Sequence, residues 1–190
     1  NKLLAKFYPT EKGQFTIGDT NAADLSTGSL RKRMAYINRN TYIFNGTVQD
    51  NVALNGACPS EMIEKALAIA CLNDEFTPHS VVGSEGKAIS DGQRVRLAIA
   101  RAVIKNPDIF LIDEALTALD PSTEKKILKN LKEAFPKATV MIITHRDTIL
   151  EAMDRVFVLH DKQFSDGMSV QELHENKAFK TLFSYSERGR

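Results

Sequence analysis

The chain has 190 residues, enough for one domain with a sizeable core and too few for two comfortable ones. Lys plus Arg number 25 against 24 Asp plus Glu, and the resulting net charge of +1 gives no electrostatic case for a nucleic-acid or acidic-surface binder. Apolar residues make up 43% and charged residues 26%, ordinary for a globular protein, and the longest apolar runs, such as Val140 to Ile143, are far too short to span a bilayer.

Residues 1–7 have a helix-like pattern with no N-cap before them, and the first residue is Asn rather than Met. The sequence therefore reads as cut from something longer, and any work at a membrane would need another segment. Pro9 and Gly13 punctuate a turn. Residues 14–18 alternate polar and apolar, predicting a short strand, and 29–33 predict a helical turn feeding a strand over 34–37. Helical spacing follows over 47–54 and over 60–71. The second of these has Ser60 as its expected N-cap, with Ile63, Ala66, Leu67 and Ala70 on one face. Pro78, Gly83 and Gly86 make 73–87 a loop. Cys58 and Cys71 lack metal-ligand spacing and a disulfide framework, so they read as buried or inert thiols of a reducing compartment.

A helix is expected from about Asp91 to Lys105. The apolar middle of 108–114 then marks a strand buried on both faces, as in a parallel sheet. Pro121 opens the next helix, which continues to about Ala134. A second buried strand is expected over 139–144, a helix over 147–153, a strand over 155–159, a strand-turn near Gln163 and two short closing helices. This alternation predicts an α/β domain with a mainly parallel sheet flanked by helices and right-handed crossovers.

Three elements carry chemistry. The buried strand ends in Asp113-Glu114, and ligands of open parallel sheets bind beyond the carboxyl ends of the strands. Two carboxylates there can divide the labour, one orienting Mg²⁺ and one polarising water, although the pattern alone is equally an acidic turn. Ser90-Asp91-Gly92-Gln93 opens a helix with a hydroxyl, backbone N–H groups and a positive dipole end, the parts of an anion site or simply of an N-cap. His145 follows the 139–144 strand, which puts it at the same edge of the sheet, although a lone histidine is more often structural.

In this order the elements resemble the ATP-binding-cassette ATPases. Ile89 to Gln93 resembles the signature motif, Phe110 to Glu114 the Walker B strand with its glutamate, Thr117-Ala118-Leu119-Asp120 the D-loop, and His145 the switch histidine. Tyr42 to Val52 is similar to the exporter stretch after the Q-loop, and Val82 to Gly86 to the exporter loop before the signature. Leu3 to Gly13 resembles the helix after a Walker A motif. The resemblance implies a single, partial cassette domain over 1–190 with a P-loop NTPase-like core, a helical signature subdomain over about 45–105, and neither the N-terminal strands nor the phosphate loop. It leans toward exporters, peptide exporters among them.

It further implies ATP and Mg²⁺ as cofactors. Asp113 would serve the metal and Glu114 polarise water, while His145 contacts the γ-phosphate. Ser90, Asp91, Gly92 and Gln93 would reach a nucleotide held by a second such domain, with Asp120 coupling the two sites. The stretch from about Arg39 to Val52 would meet the coupling helices of a transmembrane domain at the cytoplasmic face of the membrane.

The match departs from the family in several places. No Gly-rich phosphate loop occurs in the 190 residues, so this chain alone is expected to bind ATP poorly and not to hydrolyse it. Arg39 stands where the family has the Q-loop glutamine, Asp91 replaces the usual second signature residue, and the 73–82 segment is short. A degenerate cassette acting as partner in a heterodimer, and a soluble non-transport ATPase, are the competing readings.

Overall fold

The computed structural model describes residues 3–8, 13, 16–54, 56–83, 86, 88–160, 162–175 and 179. Its first residues form a turn, closed by the Lys6 N–H donating to the Leu3 carbonyl at 3.0 Å, rather than the expected helix. Lys6 sits at φ 51°, a left-handed conformation that ends helices. Of the strand expected over 14–18, the described part is β1 (Thr16–Ile17), which turns at Gly18 into the antiparallel β2 (Thr20–Asn21). Helix α1 (Thr27–Arg33) starts two residues earlier than expected because Ser26 caps it, its hydroxyl accepting the Ser29 N–H at 3.0 Å. It runs directly into β3 (Met34–Asn38).

Strand β4 (Gly46–Thr47) leads into α2 (Val48–Ala53), which a reciprocal capping box between Thr47 and Asp50 initiates. Helix α3 (Ser60–Ile69) buries Ile63, Ala66 and Leu67 as the spacing predicts. Its N-cap is Pro59, not Ser60: the proline φ of −57° is already set for a helix, and the Ser60 hydroxyl turns to Gln49 Oε1 at 3.4 Å. Inside the expected loop, β5 (Val81–Val82) pairs antiparallel with β4. There follow α4 (Asp91–Ile104), β6 (Ile109–Asp113), a 3₁₀ turn over Ala115–Ala118, α5 (Pro121–Ala134) and β7 (Thr139–Ile143). All but the 3₁₀ turn lie within two residues of their predicted bounds.

Strands β3, β6 and β7 form a parallel sheet in that order, with Asn38 opposite Asp113 and Asp113 opposite Ile143. The central strand is the best protected: Phe110, Leu111 and Ile112 are each no more than 1% exposed. Burial of such side chains stabilises by roughly 1.5–3 kcal/mol apiece. Met34, Tyr36, Ile109 and Leu111 share one face and pack with Ala5, Ile17 and Leu30. On the other face Phe110 meets Phe135 edge-on at 5.1 Å between ring centroids. Helix α4 packs against α2, α3 and β3, and its buried residues, Val95, Leu97, Ala98, Ile99, Ala100 and Ala102, accordingly lie all around it. Strand β7 departs from expectation, with Met141 40% and Ile143 39% exposed. It is the end strand of the described sheet and has a neighbour on one side only.

These elements belong to one compact unit, Asn1–Thr144; a second comprises His145–Arg190. In the second, the helix expected over 147–153 is a 3₁₀ turn, Leu150–Ala152. The strand expected over 155–159 is reduced to a bridge between Val156 and Met168 and to β8 (Leu159–His160), which pairs with β9 (Gln163–Phe164). Helix α6 (Val170–Glu175) follows, and Leu150, Val158, Leu173 and Phe179 form a small core of their own. The last expected helix falls outside the described residues apart from Phe179. Among the described residues no helix is long and apolar enough to cross a membrane.

Candidate functional site

The carboxyl end of β6 presents Asp113 and Glu114 side by side. Asp113 is half-buried, and the Tyr36 hydroxyl donates to its Oδ2 at 2.7 Å. The tyrosine reaches it because β3 and β6 are in parallel register, which puts Tyr36 and Asp113 on the same face. Burial, then the hydrogen bond and negative charge of Asp113, push the Tyr36 phenol up to about 12, so the phenol stays a donor at neutral pH.

Glu114 is exposed and has φ 51° and ψ 9°. Its N–H donates to Ile143 O at 3.0 Å, and its carbonyl accepts the Thr117 hydroxyl at 2.6 Å. The left-handed conformation costs a non-glycine residue about 1–2 kcal/mol, and these two backbone bonds hold it there. Such strain clusters at functional sites.

Ser90 and Gln93 form a reciprocal capping box at the start of α4. The Gln93 N–H donates to Ser90 Oγ at 3.2 Å, and the Ser90 N–H to Gln93 Oε1 at 3.0 Å. Gln93 Nε2 also donates to Glu75 Oε2 at 2.6 Å, and Arg96 Nη1 donates to Glu75 Oε1 and to the Cys71 carbonyl, each at 2.6 Å. Asp91 lies 3.8 Å from the Arg94 guanidinium. Gly92 is where α4 comes against the 3₁₀ turn, since a Cβ there would meet the Ala118 carbonyl oxygen at 3.2 Å. The close approach thus joins the signature-like and D-loop-like segments.

Asp120 caps α5, its Oδ1 accepting from the Ser122 hydroxyl at 2.6 Å and the Ser122 and Thr123 N–H groups at 3.1 and 3.0 Å. The Ser122 hydroxyl first, with the Thr123 N–H second, holds this carboxyl well below its ordinary 3.8. Arg39 lies exposed in the turn after β3 and lines a surface pocket with Tyr42, Asp91 and Arg94. His145 comes two residues after β7, exposed, and belongs to the second unit. The structure thus brings Asp113, Glu114 and Asn38 to one end of the sheet and sets Gly92 against Ala118.

Sequence reasoning missed several residues. Tyr36 and Asn38 continue the period-2 pattern from Met34, a signal that a longer strand assignment would have caught. Arg101 left no such signal: its Nε donates to the Asn51 carbonyl at 2.9 Å and its Nη2 to the Tyr42 carbonyl at 3.2 Å. Asn51 is fully buried and wraps the preceding loop, Oδ1 accepting the Phe44 N–H at 2.8 Å and Nδ2 donating to Phe44 O and Thr47 O at 2.9 and 3.0 Å. Held in this way, the segment exposes Tyr42 and Phe44, which meet edge-on at 4.9 Å.

Among the described residues no group of three or more His, Cys, Asp or Glu side chains gathers to hold a metal. Mg²⁺ does not need one, because it usually takes one or two carboxylates and keeps several waters. Asp113 with one oxygen fixed by Tyr36, beside the buried and unpartnered Asn38 Oδ1, fits such a cation. Cys58 and Cys71 are free and half-buried, less enclosed than expected, and burial raises the Cys71 thiol.

The model of the ABC transporter family matches residues 1–117. The leukotoxin export ATP-binding protein LtxB of Aggregatibacter actinomycetemcomitans is 33% identical over 190 residues, covering 97% of this chain and 27% of its own length. The lactococcin-G-processing and transport ATP-binding protein LagD of Lactococcus lactis is 38% identical over 183 residues, covering 93% and 26%. The structure of a bacterial Atm1-family ABC exporter with ATP bound superimposes with a TM-score of 0.86 at 28% identity, covering 97% of this chain and 34% of that one. The chain therefore spans about a quarter to a third of the length of these relatives. With the family model covering more than half of it and the fold shared with a solved exporter, the chain belongs to the ABC transporter family.

Proposed function

We propose that these residues are part of the ATP-hydrolysing motor of an exporter, a single cassette domain with a helical signature subdomain over about 45–105. The observation that carries this reading is the Asp113–Glu114 pair at the carboxyl end of the central parallel strand, with Asp113 oriented by Tyr36 and Glu114 held left-handed. Bound Mg²⁺ would supply charge neutralisation at the phosphates, with Asp113 as its protein carboxylate. Glu114 orients and polarises the attacking water, and His145 contacts the γ-phosphate.

The start of α4 faces a nucleotide held by a second such domain: Ser90 offers its hydroxyl proton, and Asp91, Gly92 and Gln93 stand at the positive end of the helix. Asp120 couples the two sites. The exposed Tyr42 and Phe44, within the stretch from about Arg39 to Val52, meet the coupling helices of a transmembrane domain at the cytoplasmic face of the membrane.

The test is ATP turnover by the full-length protein, by the same protein carrying Glu114→Gln, and by the 190-residue chain alone. Turnover that the substitution reduces by roughly 10²-fold or more, with none from the 190-residue chain, supports the reading. Equal turnover in wild type and variant refutes Glu114 as the base. Absence of turnover in a folded full-length protein favours the second reading, a non-hydrolysing partner cassette, for which Arg39 in place of glutamine is the specific observation.

A further inference from the structure

The parallel register sets Asn38, the last residue of β3, directly beside Asp113. The Tyr36 phenol donates its only proton to Asp113 Oδ2 at 2.7 Å. Asn38 lies two residues on from Tyr36, on the same face of β3, and its side chain acts on the same phenol to hold its pKa down. With its proton committed to Asp113, the phenol oxygen can only accept from Asn38, so the amide presents Nδ2 to Tyr36 and Oδ1 elsewhere. That Oδ1 is buried and has no hydrogen-bond partner. A buried acceptor without a donor costs free energy, and its persistence next to a carboxylate calls for a ligand. The neighbouring Arg39 cannot play the part, because a guanidinium has donors only, and its side chain lines the exposed pocket with Asp91 and Arg94.

We propose that Asn38 supplies the amide oxygen that Arg39 cannot, with Asn38 Oδ1 ligating the divalent cation held at Asp113, directly or through one of its waters. An amide oxygen is a hard ligand suited to Mg²⁺, and as a neutral group it adds no repulsion to Asp113. The Asn38–Tyr36–Asp113 chain then works as one unit: Tyr36 turns one carboxylate oxygen toward β3 and at the same time fixes which end of the amide faces the cation. On this assignment Arg39 no longer marks a disabled site, since the amide has moved one residue along the chain. The inference rests on the reading that Asp113 serves a metal.

The test uses full-length protein saturated with ATP, with Mn²⁺ as a paramagnetic substitute for Mg²⁺ and bound Mn²⁺ counted by electron paramagnetic resonance. Asn38→Leu, similar in shape but without the acceptor, should weaken Mn²⁺ binding roughly tenfold while metal-free ATP binding stays unchanged. Asn38→Asp should bind Mn²⁺ more tightly than wild type, and Arg39→Ala should leave Mn²⁺ affinity unchanged. Wild-type Mn²⁺ affinity in a folded Asn38→Leu protein overturns the inference and leaves the metal at Asp113 standing. Should Asn38→Leu fail to fold, Asn38→Asp decides: a charge placed on the cation must strengthen binding, and a weakened or unchanged affinity overturns the proposal. A wild-type protein with no ATP-dependent Mn²⁺ site removes the metal reading itself, and the inference with it.

Discussion

Replacing Arg101 by Met keeps the aliphatic stem of the side chain and removes both guanidinium hydrogen bonds. Those bonds run from α4 to the Asn51 carbonyl at 2.9 Å and to the carbonyl of Tyr42, a member of the exposed aromatic pair, at 3.2 Å. The two carbonyls differ in what replaces the lost donor. Tyr42 is 68% exposed and its carbonyl can be hydrated, whereas Asn51 is fully buried, so its carbonyl loses a partner that water does not restore. A hydrogen bond from a charged group is worth about 1.5–3 kcal/mol net, and a stranded buried acceptor costs about 1–3 kcal/mol. Removing Arg101 from its desolvated position also recovers part of the burial penalty that lowers its pKa. The balance is a loss of about 2–4 kcal/mol for Arg101→Met, and about half that for Arg101→Lys, whose single amine reaches one carbonyl. Because the chain has two units, a global melting point would mix them, so the assay is native-state hydrogen exchange at the α2 amides. Protection there should fall by the stated free energy while β6 amides change less. If Arg101→Met leaves α2 protection within about 0.5 kcal/mol of wild type, the clamp contributes nothing and the reasoning fails.

Two further outcomes follow from the titrating groups. Tyr36 has its folded value raised to about 12, so its contribution to stability is complete below the ordinary 10 and is lost as pH rises from 10 through 12. Ultraviolet titration of the four tyrosines should therefore show one late component that Tyr36→Phe removes; a wild-type titration with no such component contradicts the Tyr36–Asp113 hydrogen bond. Asp120 behaves in the opposite sense, with its folded value depressed, so it stabilises above 3.8 and loses that contribution as pH falls below it. Urea titrations of wild type and Asp120→Ala should differ at pH 7 and converge in acid, and a gap that persists unchanged at pH 2 would mean the cap does not act through its charge.

Much of the larger unit was legible because its elements are long and consistent at every level. Helix α4 has a capping serine, a helical period and a stop at Asn106-Pro107, and β6 has an unbroken apolar run between Asp108 and Asp113. What escaped lies where local pattern and global position part company. The Val140 to Ile143 run reads as doubly buried, yet no local signal tells a central strand from the end strand that β7 is, with Met141 and Ile143 exposed. The two-residue ladder between β4 and β5 is too short to carry a period. The strand expected over 34–37 stops short of Asn38, where the uniformly polar Asn38-Arg39-Asn40 begins, although a polar residue ending a strand of a parallel sheet is where a ligand-facing side chain belongs. In the sequence Arg101 is one more charge on a helix, and its partners are main-chain carbonyls 50 and 59 residues away, which leave no trace in side-chain identity.

The caps differ in how much hydrogen-bonding capacity they leave over. Ser26 at the start of α1 uses its hydroxyl twice, accepting the Ser29 N–H and donating to Ser29 Oγ at 2.9 Å, so nothing is left over. Ser90 uses only its acceptor, for the Gln93 N–H, and the hydroxyl proton remains available. Asp120 gathers three donors on Oδ1, leaving Oδ2 the freer oxygen. Satisfying the helix start therefore does not exhaust the group. It aims one remaining polar function outward at an angle fixed by the cap, and a site built on such groups is pre-organised at no cost beyond that of the helix itself.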